Sequence, residues 1–131
     1  MVAATLVRSD VEAGLNLVHA LDKKGFGVIA ALWLYNSDTE TWRMVIGYEG
    51  ARKDLERKYL EAATISAEWR KQHPDEPILD LSSVRITSAD DSLLVGLKPV
   101  VRVDGIGEIR FSRNMVNGIY VEDSLIHRLA A

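Results

Sequence analysis

The residues whose types and spacing are most suggestive of chemistry lie at 104–110. Asp104, Glu108 and Arg110 form an Asp-x3-Glu-x-Arg pattern across a glycine-bearing turn between two expected strands. Two carboxylates placed this way can share a divalent cation, and a cationic neighbour can steer the attacking water toward a phosphodiester. The same stretch, Glu108-Ile-Arg-Phe111, also alternates polar and apolar residues, as any half-buried strand does. The pattern therefore carries two readings, a metal-dependent site and a solvated strand face.

The order of residues resembles the metal-dependent nuclease arrangement, in which an Asp ends one strand and an acidic-x-Lys follows on the next. This chain departs from that pattern twice. Arginine stands where lysine is expected, and a guanidinium does not give up its proton near neutral pH. The gap between the acids is also short. Two other acidic pairs carry both a metal or catalytic reading and a structural one. Asp90-Asp91 suits the first turn of a helix, and Glu122-Asp123 suits a bulge or turn.

Other chemistries find little to work with. The chain has no cysteine, which removes disulfides, thiolate zinc sites and thiol nucleophiles. His19, His73 and His127 fall in different elements, without the local spacing of a zinc motif. His127 is expected opposite Glu108 as an ordinary cross-strand pair. There is no Gly-x-Ser-x-Gly elbow. Gly25-Phe-Gly27 and Gly105-Ile-Gly107 lead into strands rather than helices, so they read as turn glycines and not phosphate loops. No metal and no cofactor is expected.

Sixteen Lys and Arg against nineteen Asp and Glu leave a formal charge of −3, which argues against whole-surface attraction to nucleic acid or anionic lipid. The one basic cluster is Arg52, Lys53 and Arg57, joined by Lys58, with Lys23 and Lys24 as further candidates. Asp54, Glu56 and Glu61 are interleaved with it and can form pairs within a helix. The longest apolar run, Val28–Tyr35, is eight residues, too short to span a bilayer. The first ten residues lack a basic stretch before a long apolar run, so no secretory signal is expected and the location reads as cytoplasmic.

Aromatic residues supply a different lead. Trp33, Tyr35, Trp42 and Tyr48 cluster on one expected hairpin, and tryptophan and tyrosine are frequent interface anchors. They are expected either to fill the core or to form a protein-binding surface.

The elements that must position these residues are readable from pattern. Ser9 and Glu12 suggest a capping box. Val11, Leu15, Val18 and Leu21 then make one helical stripe, and Gly25 follows two lysines as a stop. This places a helix at about 10–24. Phe26–Tyr35 is apolar on both faces, as a covered or central strand is. Asn36–Glu40 is a turn, and Trp42–Tyr48 completes a hairpin. A long helix is expected over about 52–72, ended by Pro74. Its buried stripe is Leu55, Tyr59, Ala62, Ile65 or Ser66, and Trp69. Val84–Thr87 suggests a short strand. Ala89–Lys98 reads as a short helix after a Ser88–Asp91 capping box, or else as two strands through 93–95 and 100–103. Asn117-Gly118 marks a tight turn that sets Val116 opposite Ile119, Arg113 opposite Glu122 and Ile109 opposite Ile126.

The expected fold is therefore α+β, one globular domain over 1–131, with a mainly antiparallel sheet of about five strands and two main helices on one face. The order is helix, hairpin, helix, short strand or helix, hairpin. Two functional classes remain. One is a small non-catalytic protein-interaction module, a regulator or an immunity- or antitoxin-like inhibitor, whose partner is another protein or a second copy of itself. The other is a metal-dependent nuclease or nucleic-acid-binding domain. A small-molecule cavity within the sheet would leave no trace in sequence.

Overall fold

The computed structural model of the protein describes residues 5–130. Part of the N-terminal stretch weighed as a secretory signal lies outside the described residues. Helix α1 spans Arg8–Lys23. Val7 is its N-cap and no side chain caps it, so the Ser9–Glu12 capping box does not form. Ser9 is the second helical residue and so does not stand at the N-cap, the position from which a hydroxyl reaches the N2 and N3 amides. The other end follows expectation. The Phe26 amide donates to the Leu21 carbonyl and the Gly25 amide to that of Asp22, both at 3.1 Å. Gly25 has φ 71°, and this left-handed stop with Leu21 and Phe26 both buried is a Schellman motif.

Strand β1 (Val28–Asn36) pairs antiparallel with β2 (Thr41–Tyr48), Trp33 facing Met44. Asn36 Oδ1 closes the connecting turn by accepting the amides of Asp38 and Thr39. A 3-10 turn at Arg52–Asp54 leads into α2 (Leu55–Gln72), and the chain returns as β3 (Val84–Ser88), parallel to β2. The short helix forms as α3 (Ser92–Leu97). Its cap is Asp91, which accepts the Leu93 amide at 3.0 Å, three residues later than the expected Ser88. The rest is β4 (Ile109–Arg110), β5 (Asn114–Val116), β6 (Ile119–Val121) and β7 (Ser124–Leu129).

The main sheet has the order β3-β2-β1-β7-β4, and β5-β6 form a separate two-stranded sheet. The final hairpin thus follows its expected register while breaking into two pieces. Val116 faces Ile119, the Arg113 amide donates to Glu122, and Ile109 faces Ile126. Arg113 takes φ 54°, a left-handed bend without a register shift. Asp123 holds this corner by accepting from Arg110, the Ser112 hydroxyl and the Ser124 amide.

The bend explains the doubly apolar strand β1. One face of the sheet, with Ala31, Trp33, Met44 and Ile46, packs under α1 and α2. The other, with Ala30, Leu32, Val45 and Ile126, packs under α3 and the β5-β6 tip. A bulge between Val28 and Ala30 moves Val28 to the Trp33 side, whereas simple two-residue alternation would place it with Ala30 and Leu32. Each fully buried aliphatic or aromatic side chain contributes roughly 1.5–3 kcal/mol, so both covers matter. The two expected helices share one face, and α3 is a third helix on the other.

Candidate functional site

The second cover is shorter than the sheet beneath it. Beyond its end an open cleft of about 540 Å³ remains. Its floor comes from three neighbouring strands. Leu34 of β1 lies directly across from Arg43 of β2, and Val45 lies across from Arg85 of β3. The β1–β2 turn, including Asp38, forms one rim, while Tyr120 of β6 and Glu122 form the hairpin wall. The cleft lies within the size range of ligand sites, though its walls are open.

The two arginines differ in restraint. Arg85 donates to Asp91 at 2.9 Å. Asp91 also accepts from the Thr87 hydroxyl and the Leu93 amide, both at 3.0 Å. Burial raises the Asp91 pKa, but these three donors outweigh it and leave the carboxyl below its ordinary value. The guanidinium is thus anchored to the cap of α3. Arg43 is exposed and makes one long hydrogen bond, 3.4 Å to the Val84 carbonyl, with no carboxylate partner among the described residues. On the opposite wall Glu122 Oε2 is buried without a hydrogen-bond partner among the described residues. A buried carboxylate oxygen left in this way is costly unless a donor reaches it.

Beside the cleft, the β5-β6 tip presents a cross-strand pair, Met115 facing Tyr120. Val116 and Val121 turn inward and are buried, whereas Met115 is 66% and Tyr120 58% exposed.

The expected site residues are placed as follows. Asp104 pairs with Arg102 at 2.9 Å, Glu108 with Arg8 at 2.7 Å, and Arg110 with Asp123 through Nε at 2.8 Å and Nη2 at 2.5 Å. Each member of the trio is therefore engaged outside it. Hydrogen bonding from Arg8 lowers the Glu108 pKa, and hydrogen bonding from Arg110 lowers that of Asp123. No group of three or more His, Cys, Asp or Glu able to hold a metal occurs among the described residues. The register sets Glu108 opposite His127 as expected, and His127 is a minor electrostatic neighbour of Glu108, whose hydrogen bond goes to Arg8 instead. His127 is buried, and its Nδ1–H donates to the Gly107 carbonyl at 2.8 Å.

The basic cluster is divided. Arg52 and Lys53 are exposed on the 3-10 turn, while Arg57 lies near Asp54 and Glu61 at 3.7 and 3.9 Å. Lys58 is buried, donating to the Phe26 carbonyl at 2.7 Å with its ammonium 4.3 Å from the Phe26 ring centre.

The aromatic hairpin needs correction as a docking surface. Trp33, Tyr35 and Tyr48 are 2%, 8% and 0% exposed, because both faces of their sheet are covered. Burial raises the Tyr48 pKa, and its hydroxyl donates to the Ala51 carbonyl. Trp42 is half-buried, tilted against Tyr35 and flanked by Arg110. Tyr35 alone of the buried three borders the cleft.

Met115 and Tyr120 were within reach of sequence, since the register from Asn117-Gly118 sets them opposite each other on the face away from Val116. Arg43 and Arg85 carried no signal of their own, and Glu122 stood out only as half of an acidic pair and as the residue opposite Arg113. No protein-family model, curated protein or solved structure matches the chain. Among the described residues no helix is long and apolar enough to cross a membrane.

Proposed function

We propose that this protein is a non-catalytic binding module that docks a protein partner on the outer face of the β5-β6 hairpin and the adjoining cleft. The observation that carries this reading is the exposed Met115–Tyr120 pair beside a cleft holding two arginines. Tyrosine, methionine and arginine are enriched in interfaces, and anchors of this kind dominate binding energy. The hairpin holds its inner residues in the core, so its outer pair is presented on a fixed support. This is the surface a small regulator or an immunity- or antitoxin-like inhibitor would use.

A photo-crosslinking amino acid at position 120, compared with one at the exposed Leu60 on α2, tests the reading in lysate of the source cells. The expected result is one protein adduct at 120 that survives nuclease, with none at 60. No protein adduct at 120, or an adduct made of nucleic acid, would remove it. An adduct with a second copy of the chain would make the partner the protein itself.

A further inference from the structure

Resting on the docking reading above, we propose that the cleft receives an acidic side chain from an extended segment of the partner, with Arg43 and Arg85 as its carboxylate receptors. The argument is charge complementarity within a built geometry. Arg43 and Arg85 occupy adjacent strands and flank the Leu34–Val45 floor. Arg43 has no acidic partner among the described residues, so its planar fork is available for bidentate binding of a carboxylate. Arg85 spends one nitrogen on Asp91, and a guanidinium carries five N–H donors. Its tether to the α3 cap fixes where the remaining donors stand, which lowers the ordering cost of binding.

Glu122 forms the opposite wall, and its Oε2 is buried, so that atom offers an incoming segment no acceptor. Asp38, the other acid on the rim, lies in the β1–β2 turn and not on the β2–β3 floor that carries the two arginines. Leu34 and Val45 give an apolar neighbour of the acidic residue a surface to cover. An extended segment with an acidic side chain toward β2 and β3 and an apolar neighbour over Leu34 and Val45 uses these groups. Tyr120 connects this cleft to the exposed hairpin pair.

The test uses the full chain, 15N-labelled, titrated with the capped peptide Ac-Leu-Glu-Tyr-Thr-Leu-NH2 and with the same peptide carrying Gln for Glu. The Glu peptide is expected to shift the amides of Arg43, Val45 and Arg85 and to bind at least tenfold more tightly than the Gln peptide. Arg43→Glu, an exposed change expected to leave the melting temperature unaltered, should remove that preference. A Lys peptide should then bind the variant better than the Glu peptide does. Equal binding of the Glu and Gln peptides, shifts confined to another surface, or no binding of either would overturn the proposal. Inorganic phosphate shifting the same amides as strongly as the Glu peptide would also overturn it, by showing a general anion site. Failure here alongside a protein adduct at position 120 would remove the acidic-segment assignment alone. Absence of the adduct would remove the docking reading beneath it.

Discussion

Replacing Gly96 by alanine tests whether the second cover is a packed layer or a loose flap. Gly96 is in α3, where alanine is intrinsically better than glycine by about 1 kcal/mol. Local preference therefore favours the substitution. Packing opposes it. An added Cβ would stand 2.5 Å from Val116 Cγ1, 2.7 Å from Asn117 Cβ and 3.2 Å from the Asn117 amide nitrogen. The last is backbone in a tight turn, so the hairpin tip must retreat as a unit. Forced overpacking costs roughly 1–3 kcal/mol. Retreat also strains the Asn117 side-chain hydrogen bond to the Ser92 carbonyl, 3.0 Å long, worth about 1 kcal/mol. Offsetting the helical gain leaves a net loss of about 1–3 kcal/mol, or roughly 3–12 °C in melting temperature for a chain of this size. The assay is thermal unfolding by circular dichroism, with Val95→Ala on the exposed side of the same helix as a control. That control should stay within about 0.5 kcal/mol. Val116→Ala should relieve part of the cost in a double-mutant cycle, giving a coupling of about 0.5 kcal/mol or more. An alanine variant that melts at or above wild type, or strictly additive effects with Val116→Ala, would refute the close approach of α3 and the hairpin.

Further outcomes follow from the buried lysine and the corner carboxylate. Lys58→Met keeps an apolar stem but withdraws the donor from the Phe26 carbonyl and the cation from its ring. The expected loss is about 2–3 kcal/mol in urea unfolding, although relief of ammonium desolvation opposes it. A change below about 0.5 kcal/mol would show that desolvation cancels the contacts. Asp123 has its pKa lowered in the folded state, chiefly by hydrogen bonding from Arg110. The unfolded chain therefore takes up the proton first as pH falls. The stabilisation is complete well above the ordinary value of 3.8 and is lost as pH drops through the lower folded value. Asp123→Asn should thus melt lower than wild type at neutral pH, and the gap should shrink between about pH 5 and pH 3. A gap that stays constant over that range would mean that the charge of Asp123 does not hold the corner.

Local signals in the sequence were decisive where a single element satisfied them. Gly25 after a lysine-rich turn ends α1, and Asn117-Gly118 fixes the register from Val116–Ile119 out to Ile109–Ile126. Of the expected α2 stripe, Ala62, Ile65, Ser66 and Trp69 are buried, while Leu55 and Tyr59 nearer its start are half-buried. What pattern did not convey was which groups the fold would bring together. Lys58 looks like one more cation on a basic helix, and burial depends on Phe26 and Tyr48 lying beneath it. Aromatic clustering on β1 and β2 says nothing about cover, and both faces proved covered. The Asp104, Glu108 and Arg110 spacing is close in sequence, yet their partners Arg102, Arg8 and Asp123 include residues far along the chain.

The cleft itself follows from a taper along the sheet's second face. On β1 the residues facing α3 and the hairpin run Ala30, Leu32, Leu34, and on β2 they run Gly47, Val45, Arg43. Side chains are smallest where α3 presses closest: a Cβ on Gly47 would meet Leu94 Cδ1 at 2.6 Å and Ala30 Cβ at 3.1 Å. They grow, and then acquire charge, toward the β1–β2 turn. In a sheet covered on both sides a charged residue on a strand face marks where the cover stops, because an uncompensated buried charge is too costly to sustain. Arg43 and Arg85 mark that boundary on adjacent strands, and α3 cannot extend over them without burying both. The same packing that seals Ala30 and Gly47 beneath Leu94 therefore leaves the arginines at the open end, next to the hairpin face that carries Met115 and Tyr120. Core and candidate docking surface are two ends of one gradient in side-chain size.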